Sequence, residues 1–141
     1  MKRILLSSLV LGMTVALACG CAGLGKGPSD EELIAGVLES WKASMTAQDV
    51  DTLMTTYSED FEHYEVGDKE GVREFLEGAV DMGYLEGVEI LIDEAETTID
   101  GEAATIYPID LTSDAGEVTI ELTLAKEEAG WLVTGMDIEG L

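Results

Sequence analysis

The chain has 141 residues, with seven Lys or Arg against thirty Asp or Glu and a formal charge of −23. Such a field repels nucleic acid and anionic lipid head groups, and the basic and aromatic interleaving of a phosphate binder is absent, so nucleic acid is excluded as a partner. Cys19 and Cys21 are too close in sequence to staple a fold, and one histidine makes no zinc constellation, so the core must hold without disulfide or zinc.

Lys2 and Arg3 open the chain, and Ile4 to Leu17 follows as an apolar run too short to span a bilayer comfortably. The pattern is a secretion signal. Its end, VALACGC, resembles the lipobox of bacterial lipoproteins, where small residues admit a peptidase that cuts before a diacylglyceryl-bearing cysteine. The resemblance implies Cys19 as the lipidated residue, favoured by Leu17-Ala18 before it, with Cys21 as the alternative. At ~0.8 kcal/mol per buried methylene, several acyl chains give lasting membrane attachment. The implied location is the bacterial cell envelope with the domain facing the periplasm. Gly20 after Cys19, in place of the aspartate associated with inner-membrane retention, favours the outer membrane. The organisation is therefore a signal peptide over 1–18, a glycine-rich tether over 19–28 closed by Pro28, and one domain over 29–141.

Ser29-Asp30-Glu31-Glu32 reads as a capping box, and Leu33, Ile34, Val37, Leu38, Trp41 and Met45 recur at helical spacing to about Ala47. Asp49 caps a shorter helix with Val50, Leu53, Met54 and Tyr57 on its apolar stripe, ending near Ser58. Phe61 to Val66 reads as a short strand. Asp68 caps a third helix with an inner face of Val72, Phe75, Leu76, Ala79 and Val80, and Gly83 near its end.

Beyond Gly87 the period changes to two. Strands are expected over Val88 to Asp93, Glu96 to Ile99, Glu102 to Thr112, Glu117 to Lys126 and Trp131 to Ile138. Asp100-Gly101 suits a two-residue hairpin, Ser113 to Gly116 a longer loop, and Glu128-Ala129-Gly130 a third turn. Val118, Ile120, Leu122 and Leu124 alternate with Glu117, Thr119, Glu121 and Thr123, which marks one buried and one wet face. Pro108 and Gly135 point to bulges or bends in a curved sheet. Helices followed by an antiparallel meander predict an α+β fold with three helices packed on the concave side of the sheet.

Three stretches, 49–61, 67–75 and 130–133, resemble in order and spacing the NTF2-like superfamily, in particular its small bacterial SnoaL-like members. The likeness runs over roughly 29–139 and implies a cone with a pocket between helices and sheet, open at its wide end. It also implies dimers through the sheet as a common assembly. The fold hosts catalysts and non-catalysts alike, so it does not define an activity.

Trp41, Met45, Tyr57, Phe61, Tyr64, Phe75, Tyr107 and Met136 are the large residues expected to wall the pocket, with plain core filling as the competing reading. Resemblance to the isomerases of the superfamily asks for an acid or base in apolar surroundings. Asp110, Asp137 and His63 are the candidates, each also readable as a solvated surface residue. Simple alternation puts Asp110 with Ala104, Ile106 and Pro108, and Tyr107 with Ile109 on the other face, which leaves its direction open. The acidic runs at 59–62 and 93–96 lack the spacing and turn glycine of an EF-hand, so neither metal nor cofactor is expected. The expected function is a lipid-anchored, non-catalytic module that binds a small apolar ligand or a partner protein. The alternative is an acid-base enzyme of isomerase, cyclase or dehydratase type working on a small hydrophobic substrate.

Overall fold

The computed structural model describes residues 27–140. The leader, Cys19, Cys21 and most of the tether lie outside the described residues. Helix α1 spans Asp30–Thr46, and its start is the expected capping box: Ser29 Oγ accepts from the Glu32 amide at 3.2 Å while Glu32 Oε2 accepts from the Ser29 amide at 2.8 Å. Two donors that a helix start leaves without partners are thereby satisfied. The buried stripe of α1 is Ile34, Leu38, Trp41, Ser44 and Met45.

Helix α2 is shorter than expected, covering only Val50–Met54 behind its Asp49 cap. The cause is competition for the backbone after Met54. Ser58 N–H donates to the Val133 carbonyl and Val133 N–H to the Thr56 carbonyl, each at 2.8 Å, so the chain at Tyr57 runs beside a strand instead of continuing the helix. Phe61 to Val66 is not a strand, contrary to its composition. His63 and Gly67 exchange both backbone hydrogen bonds at 2.8 Å, and His63 Nδ1 accepts from the amides of Glu65 and Val66, which folds the stretch into a tight loop.

Helix α3, Lys69–Asp81, begins where Asp68 Oδ1 accepts from the Gly71 amide at 3.0 Å, and it buries Val72, Leu76 and Ala79. Gly71 is required by contact: a Cβ there would lie 1.8 Å from the Val66 carbonyl oxygen. The loop and the helix can approach this closely only without a side chain.

The five strands are β1 (Glu89–Leu91), β2 (Glu96–Asp100), β3 (Ala103–Ser113), β4 (Gly116–Glu127) and β5 (Gly130–Glu139). They form one antiparallel sheet in the order β1-β3-β4-β5, with β2 also paired to β3. Successive hairpins close on the pairs Asp100↔Ala103, Ser113↔Gly116 and Glu127↔Gly130, so the loop expected over 113–116 is a tight turn.

Two irregularities interrupt the sheet, one at the expected Pro108 and one at Thr134, next to the expected Gly135. On β3, Tyr107 and Pro108 together oppose the single Glu121, because register passes from Ile106↔Leu122 to Ile109↔Ile120. Proline has no N–H to give to the ladder there. On β5, Thr134 is the extra residue between Val133↔Leu124 and Gly135↔Thr123. Each bulge resets the inward phase, so Ala104, Ile106, Ile109 and Leu111 all face the core, as do Trp131, Val133 and Met136. Ile120, Leu122 and Leu124 are buried with them and Val118 packs against the cluster, which bears out the inward face expected for β4. The helices cover this concave side, giving the α+β cone.

Candidate functional site

The core is closed at one end of the cone and hollow at the other. At the closed end Trp41 Nε1 donates to Tyr57 Oη at 3.1 Å, Tyr57 Oη donates to Met136 Sδ at 3.8 Å, and the Phe61 ring stands edge-on to Tyr57 with centroids 5.2 Å apart. Burial pushes the Tyr57 phenol up to about 12, an effect the Trp41 donation offsets only in part. Tyr57 is thus a neutral hydroxyl at ordinary pH, with its polar atom already engaged. At the start of α1, Asp30 accepts from Lys126 Nζ at 2.7 Å and from Trp131 Nε1 at 3.0 Å, and these donors hold its carboxyl below the usual range.

At the other end lies a cavity of about 410 Å³. It falls where the C-terminal end of β3, the start of β4 and the end of β5 meet the second half of α3. Leu111, Ile120 and Met136 from the sheet and Met45, Leu76, Ala79 and Leu85 from the helical side are buried around it. Phe75, 42% exposed, and Tyr84, 53% exposed, stand at its mouth. A volume of this size with apolar walls is that of a small-molecule site.

Of the eight residues expected at the pocket, Met45, Phe75 and Met136 line this cavity. Trp41, Tyr57 and Phe61 are instead solid core, each 1% exposed or less. Tyr64 and Tyr107 are corrections: Tyr64 is 82% exposed on the His63 loop, and Tyr107 points outward at the β3 bulge.

The acid-base candidates are also elsewhere. The bulge turns Asp110 to the outer face, half-buried, where its Oδ1 accepts from Thr119 Oγ1 at 2.9 Å. Asp137 is exposed opposite Glu121 on the same face, and His63 closes its own loop. None of the three lines the cavity. Tyr84 and Leu85 were not expected at the site, because they lie between elements where no periodicity marks them. Val118 and Ile120 were legible as part of a buried face, whereas Ile138 was read only as the end of a strand. Their place at the cavity follows only once hairpin register sets them at one end of the sheet.

A groove of about 450 Å³ between α2 and α3 is different in kind, because charged side chains line it. Lys69 pairs with Glu59 at 2.6 Å and Arg73 with Asp51 at 2.7 Å, so both of its cations are neutralised within the groove. Among the described residues no group of three or more His, Cys, Asp or Glu is placed to hold a metal ion.

With this geometry the fold is the NTF2-like, cystatin-like α+β cone, as comparison with solved structures shows. An NTF2-like protein of unknown function from Pseudomonas putida superposes with a TM-score of 0.67 at 12% identity, covering 82% of this chain and 90% of that one. One from Shewanella baltica gives 0.61 at 17% identity, over 82% of this chain and 100% of that one. A protein of unknown function with a cystatin-like fold from Nostoc punctiforme gives 0.62 at 15%, covering 77% and 88%. No family model and no curated protein matches the sequence. At these identities the likeness is one of fold alone, and function has to be argued from the cavity.

Proposed function

We propose that the chain is a lipid-anchored module of the bacterial envelope, SnoaL-like in its general type, whose cone cavity binds a small apolar molecule without transforming it. The observation that carries this is the 410 Å³ hollow walled by Met45, Leu76, Leu85, Leu111, Ile120 and Met136. Binding is preferred to catalysis because Asp110 and Asp137 stand on the far face of the sheet and Tyr57 has its hydroxyl engaged in the core.

The anchor proposal rests on Lys2-Arg3, the apolar run and VALACGC before the tether. Helix α1 begins beside Trp131 and Lys126 and reaches the cavity wall at Met45. Its 17 residues span about 25 Å. The start of α1, where the tether joins the domain, therefore lies at the far end of that helix from the cavity wall.

The test is titration with the neutral probe N-phenyl-1-naphthylamine, whose emission rises in apolar surroundings. Wild type is expected to enhance it saturably, and Val118→Trp, which fills the cavity from an edge position, to abolish the enhancement while retaining the folded far-ultraviolet spectrum. Equal enhancement by both proteins, or none by wild type, overturns the reading. For the anchor, Cys19→Ala is expected to end incorporation of radiolabelled palmitate in cells, and labelling that persists in this variant but stops in Cys21→Ala would move the site to Cys21.

A further inference from the structure

The polarity of the cavity wall is uneven. Its inner part is formed by buried Met45, Leu76, Ala79, Leu111, Ile120 and Met136, whose side chains carry no N–H or O–H. The Tyr57 hydroxyl meets Met136 from the closed end and is already engaged with Trp41. Among the described residues no buried side-chain nitrogen or oxygen lacks a partner. A polar group carried inward would therefore lose its water and gain nothing in exchange.

Two hydroxyl-bearing residues line the cavity, Ser113 and Tyr84, and both are partly exposed. Ser113 closes the β3–β4 hairpin opposite Gly116, and alternation from buried Leu111 puts it on the inward side of the strand, with Thr112 outward. The Asp114 amide donates to the Glu86 carbonyl at 3.0 Å, so the hairpin end and the segment carrying Tyr84 and Leu85 are adjoining parts of the wall. Ser113 Oγ accepts from the Ala115 amide at 3.2 Å. That bond uses a lone pair and leaves the hydroxyl proton to be given to a ligand.

No charge competes for that role. Glu117 borders the cavity, but it pairs with Thr112, and both positions belong to the outer face of the sheet. Lys42, one turn before Met45 on α1, does not line the cavity. The excess of acidic residues, thirty against seven basic, disfavours an anionic ligand.

We propose that the cavity takes uncharged molecules with a hydrocarbon body and one hydrogen-bond acceptor at an end, such as ketones, esters or alcohols, the body lying inward and the acceptor held at the mouth by the Ser113 hydroxyl. This rests on the binding reading above and adds the ligand's polarity and orientation to it. Ser113 is then the residue that determines specificity, and the inner wall supplies affinity without direction.

The experiment is displacement of N-phenyl-1-naphthylamine by three probes that share one cage, 2-adamantanone, 1-adamantanol and 1-methyladamantane, from wild type, Ser113→Ala and Ser113→Thr, with the dye affinity of each protein measured first. Ser113→Ala is expected to weaken the ketone and the alcohol about three- to ten-fold and to leave the hydrocarbon within about two-fold, and Ser113→Thr, which keeps the hydroxyl, to restore the ketone. Equal weakening of all three probes by Ser113→Ala would make the residue a part of the wall's shape, and no weakening of any would remove it from the site; either overturns the proposal. Weakening of the alcohol without the ketone would make Ser113 an acceptor and overturn its assignment as donor. If the dye binds and none of the probes displaces it, the proposed ligand class falls while the apolar site stands, whereas failure of the dye itself overturns the binding reading.

Discussion

The two ends of the cone are built from the same helices and the same sheet, yet one is solid and the other hollow. At the closed end three aromatic residues, Trp41, Tyr57 and Phe61, fill the space, and the indole and phenol satisfy one another. At the open end the inward positions carry Leu, Ile, Met and Ala, and the aromatic residues Phe75 and Tyr84 stay at the rim. Side-chain volume decides where the space goes, since both ends share one curvature. On the proposed reading, the closed end carries stability and the open end serves a ligand.

Substitutions should separate the ends, beginning with the largest effect. Trp41→Ala removes a fully buried indole and the donor to Tyr57, and is expected to cost about 3–5 kcal/mol in urea denaturation. A loss below 1 kcal/mol would mean that the closed end is not tightly packed. Tyr57→Phe keeps the ring but leaves the Trp41 indole N–H without its acceptor, for a cost of about 1–3 kcal/mol by the same assay. Phe75→Ala, at the mouth, should cost about 1 kcal/mol or less while lowering probe affinity roughly ten-fold, so stability and binding part company there.

The smallest effect concerns pH. The Asp30 carboxyl is held below its ordinary 3.8 by Lys126 and Trp131, so the folded state binds fewer protons than the unfolded one around that value. Its stabilisation is complete above the ordinary value and is lost as pH falls through the lowered one. Wild type should therefore exceed Asp30→Asn in melting temperature at pH 7, with the gap closing in strongly acidic buffer. A constant gap from pH 7 to pH 2 would count against the assigned cause.

Much of the architecture was legible because periodicity reports burial. The change of period near Gly87, the caps at Ser29, Asp49 and Asp68, and the bend at Pro108 each correspond to an observed feature, and the bend expected at Gly135 falls one residue earlier, at Thr134. Most of the failures share one physical source, which is that long-range pairing overrides local pattern, while the loop closed by His63 is a local contact that composition did not mark. Alternation through 104–110 could not orient Asp110, because the bulge shifts phase between Ile106 and Ile109. The second helix ended early because β5 captured its next backbone groups. Tyr64 and Tyr107 were read inward for their size, whereas the loop closed by His63 and the β3 bulge turn them out. The cavity itself was implied only by resemblance, since a hollow depends on what three strand ends and a helix leave unfilled.

The central claim is that the hollow end takes an apolar molecule between α3 and the sheet. Methyl-resolved NMR during titration with 1-adamantanol tests it most directly. The account predicts shifts concentrated at Met45, Leu76, Leu111, Ile120 and Met136, with the methyls of Leu53 and Val133 near the closed end unmoved. Shifts confined to the outer face around Thr119 and Thr123, or none at saturating probe, would contradict it.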